Sequence, residues 1–540
     1  MKKSPRPLPQ DNLFDSYYYG TLVPPDHELM EIDRRVDFGF IAAAMADCYA
    51  PREGAGRRPL SPEMMLRFCF LKVYADLSDA ELTAQAQYNL LYRQFLHLGG
   101  NELPPDSSSL TVFRRRLGEE RLKACLDRVV GGAQQLGLVS HQRAHVDSTG
   151  IVADIAIPRL RGLVLEAMAE GLTGLAQLGQ GERSAPLQAE YEALAGDSLY
   201  WETQARRDAH VLACWELLQR LAAVYDELMA RGGWTAAEED VLLAEAALLE
   251  KVLQRREGRR GSGKRDLLVS TQDPDARYSN REKGKKPYAG YKEHVIEDDG
   301  SGIITDVIVT PANVDDGTQL QELVAGHEAV VGQRPASVAA DSKYFTGENL
   351  AYLDEECIEQ FIAVPAAKGE KQGKFTTADF AHDAAGDCVL CPAGELAMGG
   401  KWDEARQGWT FYFRKGQCEG CPLRERCTTQ KRGRTLFISR HRERLLQARA
   451  LQDDPEHLAA QRRRLRQERT FSLQKQRHGL RRTRYRGLAR VRMGVYFSVL
   501  VVNLRRIVQQ LVAAEAAGGA VQRLCAQAAS PLRNGAETQT

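Results

Sequence analysis

Apolar positions recur at helical spacing through the first 130 or so residues. Pro62 and Glu63 open a run carrying Met65, Leu66, Phe68, Leu71, Val73 and Leu77, which predicts a helix ending near Ser78. Ser78 then suits the N-cap of a further helix through Glu81 and Leu82, with Glu81 at the capping-box position. After Pro104, Pro105 and Asp106, serines 107–109 lead into Leu110, Val112, Phe113 and Leu117, interleaved with Arg114, Arg115 and Arg116. That helix has one apolar and one strongly basic face. It suits a DNA-binding helical module, and equally an ordinary bundle with solvated arginines.

From His141 the period changes. Ala144 and Val146, then Ile151 and Val152, predict a strand and hairpin with Asp147 at the turn. Residues 160–256 return to helical spacing, as in Leu212, Trp215, Leu218, Leu221, Val224, Tyr225 and Leu228. Gly232 and Gly233 precede another helix over 236–254, and a basic Gly-Ser linker covers 259–265. Strands are expected over 291–296 and 303–309, joined at Asp298, Asp299 and Gly300. A helix (317–331), a strand (336–340), a helix (348–356) and a strand (358–364) follow. An irregular Cys-rich segment over 368–434, a long charged helix over 440–476 and an apolar C-terminal helix complete the pattern. The order describes an α/β fold, a mixed sheet flanked by helices, with a helical block inserted after the first strand pair.

Composition changes this picture little, and charge distribution changes it a great deal. With 43% apolar and 27% charged residues, the 540-residue chain is neither disordered nor fibrous. The net charge of +1 hides an asymmetry. Residues 461–493 hold thirteen Lys or Arg and one acid, Glu468, whereas 161–250 hold sixteen Asp or Glu against six cations. A block that basic faces a polyanion, and an acidic helical block is a solvated surface. The longest apolar run, 495–502, is short of a bilayer span, and Lys2, Lys3 and Arg6 precede prolines rather than an apolar stretch. A cytoplasmic, nucleoid-associated protein without a membrane role is the expectation.

The candidate chemistry lies in carboxylates and cysteines. Asp147 and Asp341 each follow a strand; on neighbouring parallel strands they would stand roughly 5 Å apart. Two ionised carboxylates that close call for a cation, and Mg²⁺ (or Mn²⁺), with its oxygen ligands and affinity for phosphates, is the natural one. A second ion about 4 Å away would serve phosphodiester chemistry. Taken singly, either aspartate reads better as a strand cap. Glu468 is the candidate third ligand, and the spacing Arg464-x3-Glu468-x6-Lys475 puts all three near one face of a helix. An exposed Arg–Glu surface pair is the plain alternative. Arg464 and Lys475 would grip DNA phosphates, as would Arg481, Arg482 and Arg484, the N-terminal Arg114 and Arg115, and Lys285 and Lys286 among Arg277, Tyr278, Lys283, Tyr288 and Lys292. His145 and His294 read as packing histidines.

Eleven cysteines are no disulfide framework at this length. Cys388-x2-Cys391 and Cys418-x2-Cys421, followed by Cys427, have the spacing of a tetrahedral structural Zn²⁺ site. A fifth cysteine leaves the ligand set open, and such a cluster also persists without metal. Cys48, Cys69, Cys125, Cys214, Cys357 and Cys525 read as small core residues.

Taken together, the chain resembles bacterial insertion-sequence transposases of the DDE type. The resemblance rests on the segments at 62–67 and 106–118, HVDSTG around Asp147, DPDARYS (273–279) with GYKEHV (290–295), VAADSKYF around Asp341, the Arg464, Glu468 and Lys475 signature, and HGLRRTRYRGL (478–488). Gln461 stands where that family's signature has a tyrosine. The resemblance implies a ribonuclease H-like catalytic domain over 136–159, 266–365 and 435–515, with Asp147, Asp341 and Glu468 as its acids. It implies a helical DNA-binding domain over 1–135, a helical insertion over 160–265, a Cys-rich insertion over 366–434 and a flexible tail over 516–540. The implied activity is binding of terminal inverted repeats, metal-dependent cleavage and strand transfer into target DNA, as a homo-oligomer. An inactive DNA-binding descendant and a nuclease without strand transfer are the competing readings.

Overall fold

The computed structural model describes residues 13–49, 60–200, 202–257, 266–279, 286–367, 370–385, 387–519 and 523–524. The expected linker over 259–265, together with Lys283, Lys285 and Cys525, lies outside these residues.

A mixed sheet organises the chain. β1 (Arg143–Ala153) runs antiparallel to β2 (Ala289–Asp298) and parallel to β4 (Ser337–Ala340). β3 (Ile304–Pro311) pairs with the other edge of β2, and β5 (Glu359–Ile362) lies parallel beyond β4. The order β3-β2-β1-β4-β5, with helices on both faces, is ribonuclease H-like. Short strands at Arg277–Tyr278 and Arg482–Thr483 add to β2 and β1.

Register decides which side chains share a face. Ala144, Val146, Ile296, Val338 and Ala340 form one core with Leu320, Leu323 and Leu350 of the helices Leu320–Val331 and Gly347–Glu355. Ile151, Tyr291 and Val295 point to the opposite face and pack with the helix Leu488–Ala516. That helix is long and apolar enough to cross a membrane, but most of its apolar stretch is buried inside the protein. It also packs against Ser107–Gln135 and Pro62–Tyr74, so the N-terminal helices share a continuous core with the sheet. The Ser78–Glu81 capping box is present, with Ser78 N donating to Glu81 Oε2 at 2.8 Å.

Several expectations need correction. β1 is one continuous strand, and Asp147 lies within it rather than at a hairpin turn. Ser148, Thr149 and Gly150 pair in register with His294, Glu293 and Lys292, so the polar run continues the ladder instead of breaking it. The single charged helix over 440–476 is three: Arg442–Ala450, Pro455–Arg464 and Gln467–Arg477. Asp454 accepts hydrogen bonds from the amides of Glu456 and His457, and Pro455 at the first position starts the second helix. Arg464 therefore ends one helix and Glu468 sits in the first turn of the next, not along one face of one helix.

The Cys-rich segment is not irregular either. It folds as two three-stranded sheets around Phe380, Val389, Phe411 and Phe413. The block after β1 forms four helices, Leu160–Gln177, Gly181–Gly196, Gln204–Arg231 and Ala236–Glu257, closed over Leu163, Trp215, Leu218, Tyr225 and Leu249. Leu212 of the predicted apolar stripe is exposed. Cys69, Cys125 and Cys214 are buried, but Cys357 is exposed and Cys48 half-buried. Within the expected flexible tail, Leu524 is buried and bridges Val36.

Candidate active site

Val146 of β1 pairs with Ala340 of β4, so Asp147 and Asp341, the next residues, stand side by side on strands ~4.8 Å apart. Asp147 Oδ1 accepts from its neighbour's amide, Ser148 N, at 2.8 Å, and Oδ2 accepts from Arg464 Nη1, also at 2.8 Å. Asp341 Oδ1 accepts from Lys343 N at 2.8 Å, capping the turn Ser342–Tyr344. Burial pushes the Asp147 carboxyl up to about 6; Arg464 and the Ser148 amide oppose this, and the Asp341 charge adds to it. The pair offers hard oxygen donors, the chemistry that suits Mg²⁺ or Mn²⁺.

Among the described residues no three His, Cys, Asp or Glu side chains gather as a metal site. Glu468 is exposed, in the first turn of the helix Gln467–Arg477. The buried face of its helix consists instead of Gln467, Thr470, Phe471 and Gln474. Helical period nonetheless sets Glu468 near the same stripe as Lys475, seven positions on. Lys475 lines a cavity with Ser148 and Thr149, directly after Asp147, and with Lys343, two residues after Asp341.

Sequence reasoning missed two groups here. Glu293 and Glu297 of β2 lie buried on the Asp147 face, beneath the helix Gln467–Arg477. Glu293 accepts from Gln474 Nε2 at 2.8 Å, and Thr470 Oγ1 donates to Glu297 at 3.1 Å. Burial pushes both carboxyls up to about 7. The second group is Asp316, fully buried between Lys292 Nζ (2.6 Å) and Lys343 Nζ (2.7 Å). The signal for the first was two acids four residues apart in GYKEHVIED, which strand alternation puts on one face, unusual for a central strand. Nothing near Asp316 in the sequence announced its partners.

The basic residues divide into two sets. Lys286, Lys292, Lys343, Lys475 and Arg481, with Tyr288, line the cavity beside Asp147. Others are engaged in the fold. Arg114 chelates Asp79 at 3.0 and 2.5 Å, Arg277 pairs with Asp266, Arg482 with Asp154 and Arg484 with Asp76. Arg115 is exposed, and Lys285 lies outside the described residues. His294 Nε2 is 2.9 Å from Thr310 Oγ1, and buried His145 faces Asp299. In the Cys-rich lobe, Cys391, Cys418, Cys421 and Cys427 line one cavity, and Cys388 does not.

Comparison with known proteins agrees with this architecture. Residues 390–508 match the family model described as Transposase DDE domain, and residues 18–116 match Transposase domain (DUF772). Together they support an insertion-sequence transposase of the DDE type. Over 152 residues the chain is 28% identical to the Rhizobium meliloti "Uncharacterized protein ORF8 in nfe locus", covering 27% of this chain and 72% of that protein. No solved structure matches.

Proposed function

We propose that this transposase binds the terminal inverted repeats of its element, cleaves a phosphodiester to free a 3′-OH, and joins that end to target DNA. The observation that carries the reading is the adjacency of the Asp147 and Asp341 carboxylates beside a cavity walled by five cations. Asp147 and Asp341, with Glu468 as third ligand, would hold Mg²⁺ or Mn²⁺, which supplies charge neutralisation at the scissile phosphate and water activation when bound. Lys343, Lys475, Lys286 and Arg481 would grip the flanking phosphates and fix the strand. Asp316, which also binds Lys292, holds Lys343 in place. Arg464 balances the Asp147 charge, so cation binding there requires that guanidinium to turn toward DNA phosphate.

The exposed position of Glu468 favours a second reading, a DNA-binding protein that no longer cuts. Pre-cut terminal-repeat DNA with a free 3′-OH, incubated with Mn²⁺, separates the cases. Joining supports the transposase, cutting of intact ends without joining supports a nuclease, and binding alone supports the second reading. Asp147→Ala, Asp341→Ala and Glu468→Ala should each abolish cleavage while leaving end binding intact; cleavage retained in any one removes that residue from the ligand set.

A further inference from the structure

Strand alternation sorts the five clustered cysteines. In the strand Cys388–Leu390, Val389 is fully buried in the core of the Cys-rich lobe, so Cys388 and Leu390 face away from it. Cys391, one step beyond, returns to the Val389 side. It opens the turn Cys391-Pro392-Ala393-Gly394-Glu395, closed by Cys391 N donating to Glu395 O at 2.9 Å. Gly394 adopts φ +84°, which lets the chain double back. Glu395 N then donates to Cys391 Sγ at 3.3 Å, an amide directed at the sulfur itself.

The remaining thiols come from a second segment. Cys418 lies on the short helix Lys415–Glu419, Cys421 follows it, and Cys427 ends the helix Arg424–Cys427. Gln417 Nε2 ties this segment to the turn, donating to Glu395 Oε2 at 3.1 Å and Leu396 O at 2.8 Å. Arg424 donates to Cys418 O at 3.0 Å and Arg434 to Cys427 O at 2.7 Å, setting two guanidinium groups beside the thiols. Cys391, Cys418, Cys421 and Cys427 line one cavity, with Arg424 and Arg434 in the same wall. The sulfurs are free and half-buried over an apolar floor of Phe380 and Phe413, and they are not drawn together to coordination distance.

We propose that Cys391, Cys418, Cys421 and Cys427 form a structural site for one zinc ion, and that Cys388 is not a ligand. Four thiolates around a soft divalent ion leave two net negative charges, which Arg424 and Arg434 lie placed to offset. Binding would release the thiol protons and lock the turn to the second segment. The reading is independent of strand cleavage.

The test uses the full chain, purified under reducing conditions, with metal content measured and Co²⁺ then exchanged for the bound metal. One zinc per chain and a tetrahedral thiolate–cobalt absorption spectrum are expected. Cys388→Ser should keep both; Cys418→Ser and Cys421→Ser should lose the spectrum. Wild-type protein giving no thiolate–cobalt spectrum overturns the site. A spectrum unchanged in Cys418→Ser, or lost in a Cys388→Ser variant with wild-type circular dichroism, overturns the ligand assignment. Because a ligand variant can fail to fold, thiol alkylation of folded wild-type protein gives a second readout. Zinc bound at the site should protect four cysteines that become reactive on chelation, and equal reactivity with and without chelator overturns the proposal.

Discussion

The Arg464 guanidinium lies 2.8 Å from the Asp147 carboxylate, joining residues 317 positions apart in the sequence. Both side chains are largely buried, at 13% and 15% exposure. The contact spans the end of the helix Pro455–Arg464 and the middle of β1. It therefore couples the placement of that helix to the ionisation of the candidate catalytic aspartate.

Arg464→Gln should destabilise the protein at pH 8 by ~3 kcal/mol, the scale for removing one partner of a buried ion pair. The loss should shrink at pH 5, below the Asp147 pKa of about 6, where that carboxyl takes up a proton and no longer needs the cation. Urea unfolding at the two pH values measures this. Equal losses at both would show that the pair is not ionic.

Glu293→Gln should do the reverse. Burial raises the Glu293 carboxyl to about 7, and Oε2 has no hydrogen-bond partner. The stability of the protonated form is fully present below about 4.5 and is lost as pH rises through about 7. Replacing the acid with a neutral amide should thus stabilise the fold at pH 8 by up to ~3 kcal/mol, at 1.36 kcal/mol per unit. At pH 4 it should change little. Thermal melts at both values test it, and a lower melting temperature at pH 8 would count against the buried-charge account.

Asp316 behaves oppositely. Against burial, which raises it, hydrogen bonds from Lys292 and Lys343 hold its carboxyl down at about 2. The resulting stabilisation, about 2 kcal/mol, is present above the unfolded value near 3.8 and disappears as pH falls through about 2. Asp316→Asn leaves two ammonium groups facing a neutral amide. It should lower stability at pH 7 by about 3 kcal/mol. Acid-unfolding curves of variant and parent should converge below pH 2.

Much of this architecture was legible because period and caps are local. Ser78 with Glu81 and the alternating apolar strands carry their structural signal within a few residues. The break at Pro455 was missed, because the charged pattern around it reads as one continuous helix, although Asp454 and Pro455 carry a local start signal. Asp147 was misplaced at a turn because Ser148, Thr149 and Gly150 look like turn residues. Only β2, arriving some 140 residues later, shows that their backbone groups remain paired. The partners of Asp316 and the separation of Arg464 from Glu468 depend on tertiary packing, which has no sequence period. Arg114 is the converse case: its place on a basic helix face suggested DNA, and its partner Asp79 lies on a different helix.

That division of the basic residues predicts two kinds of failure. Lys475 and Arg481 line the cavity beside Asp147, so Lys475→Gln and Arg481→Gln should weaken binding of duplex DNA across sequences. Each should reduce the slope of log affinity against log salt by about 1, the loss of one phosphate contact. Arg114 instead closes a bidentate pair with Asp79, and both side chains are mostly buried. Arg114→Gln should leave the salt slope unchanged and lower the melting temperature, since a carboxylate set between the helices Asp79–Tyr88 and Ser107–Gln135 loses its bidentate partner. Filter binding over a salt series, paired with thermal melts of the same three variants, separates the two outcomes. A reduced slope for Arg114→Gln at unchanged stability would move that arginine from the fold to the DNA surface.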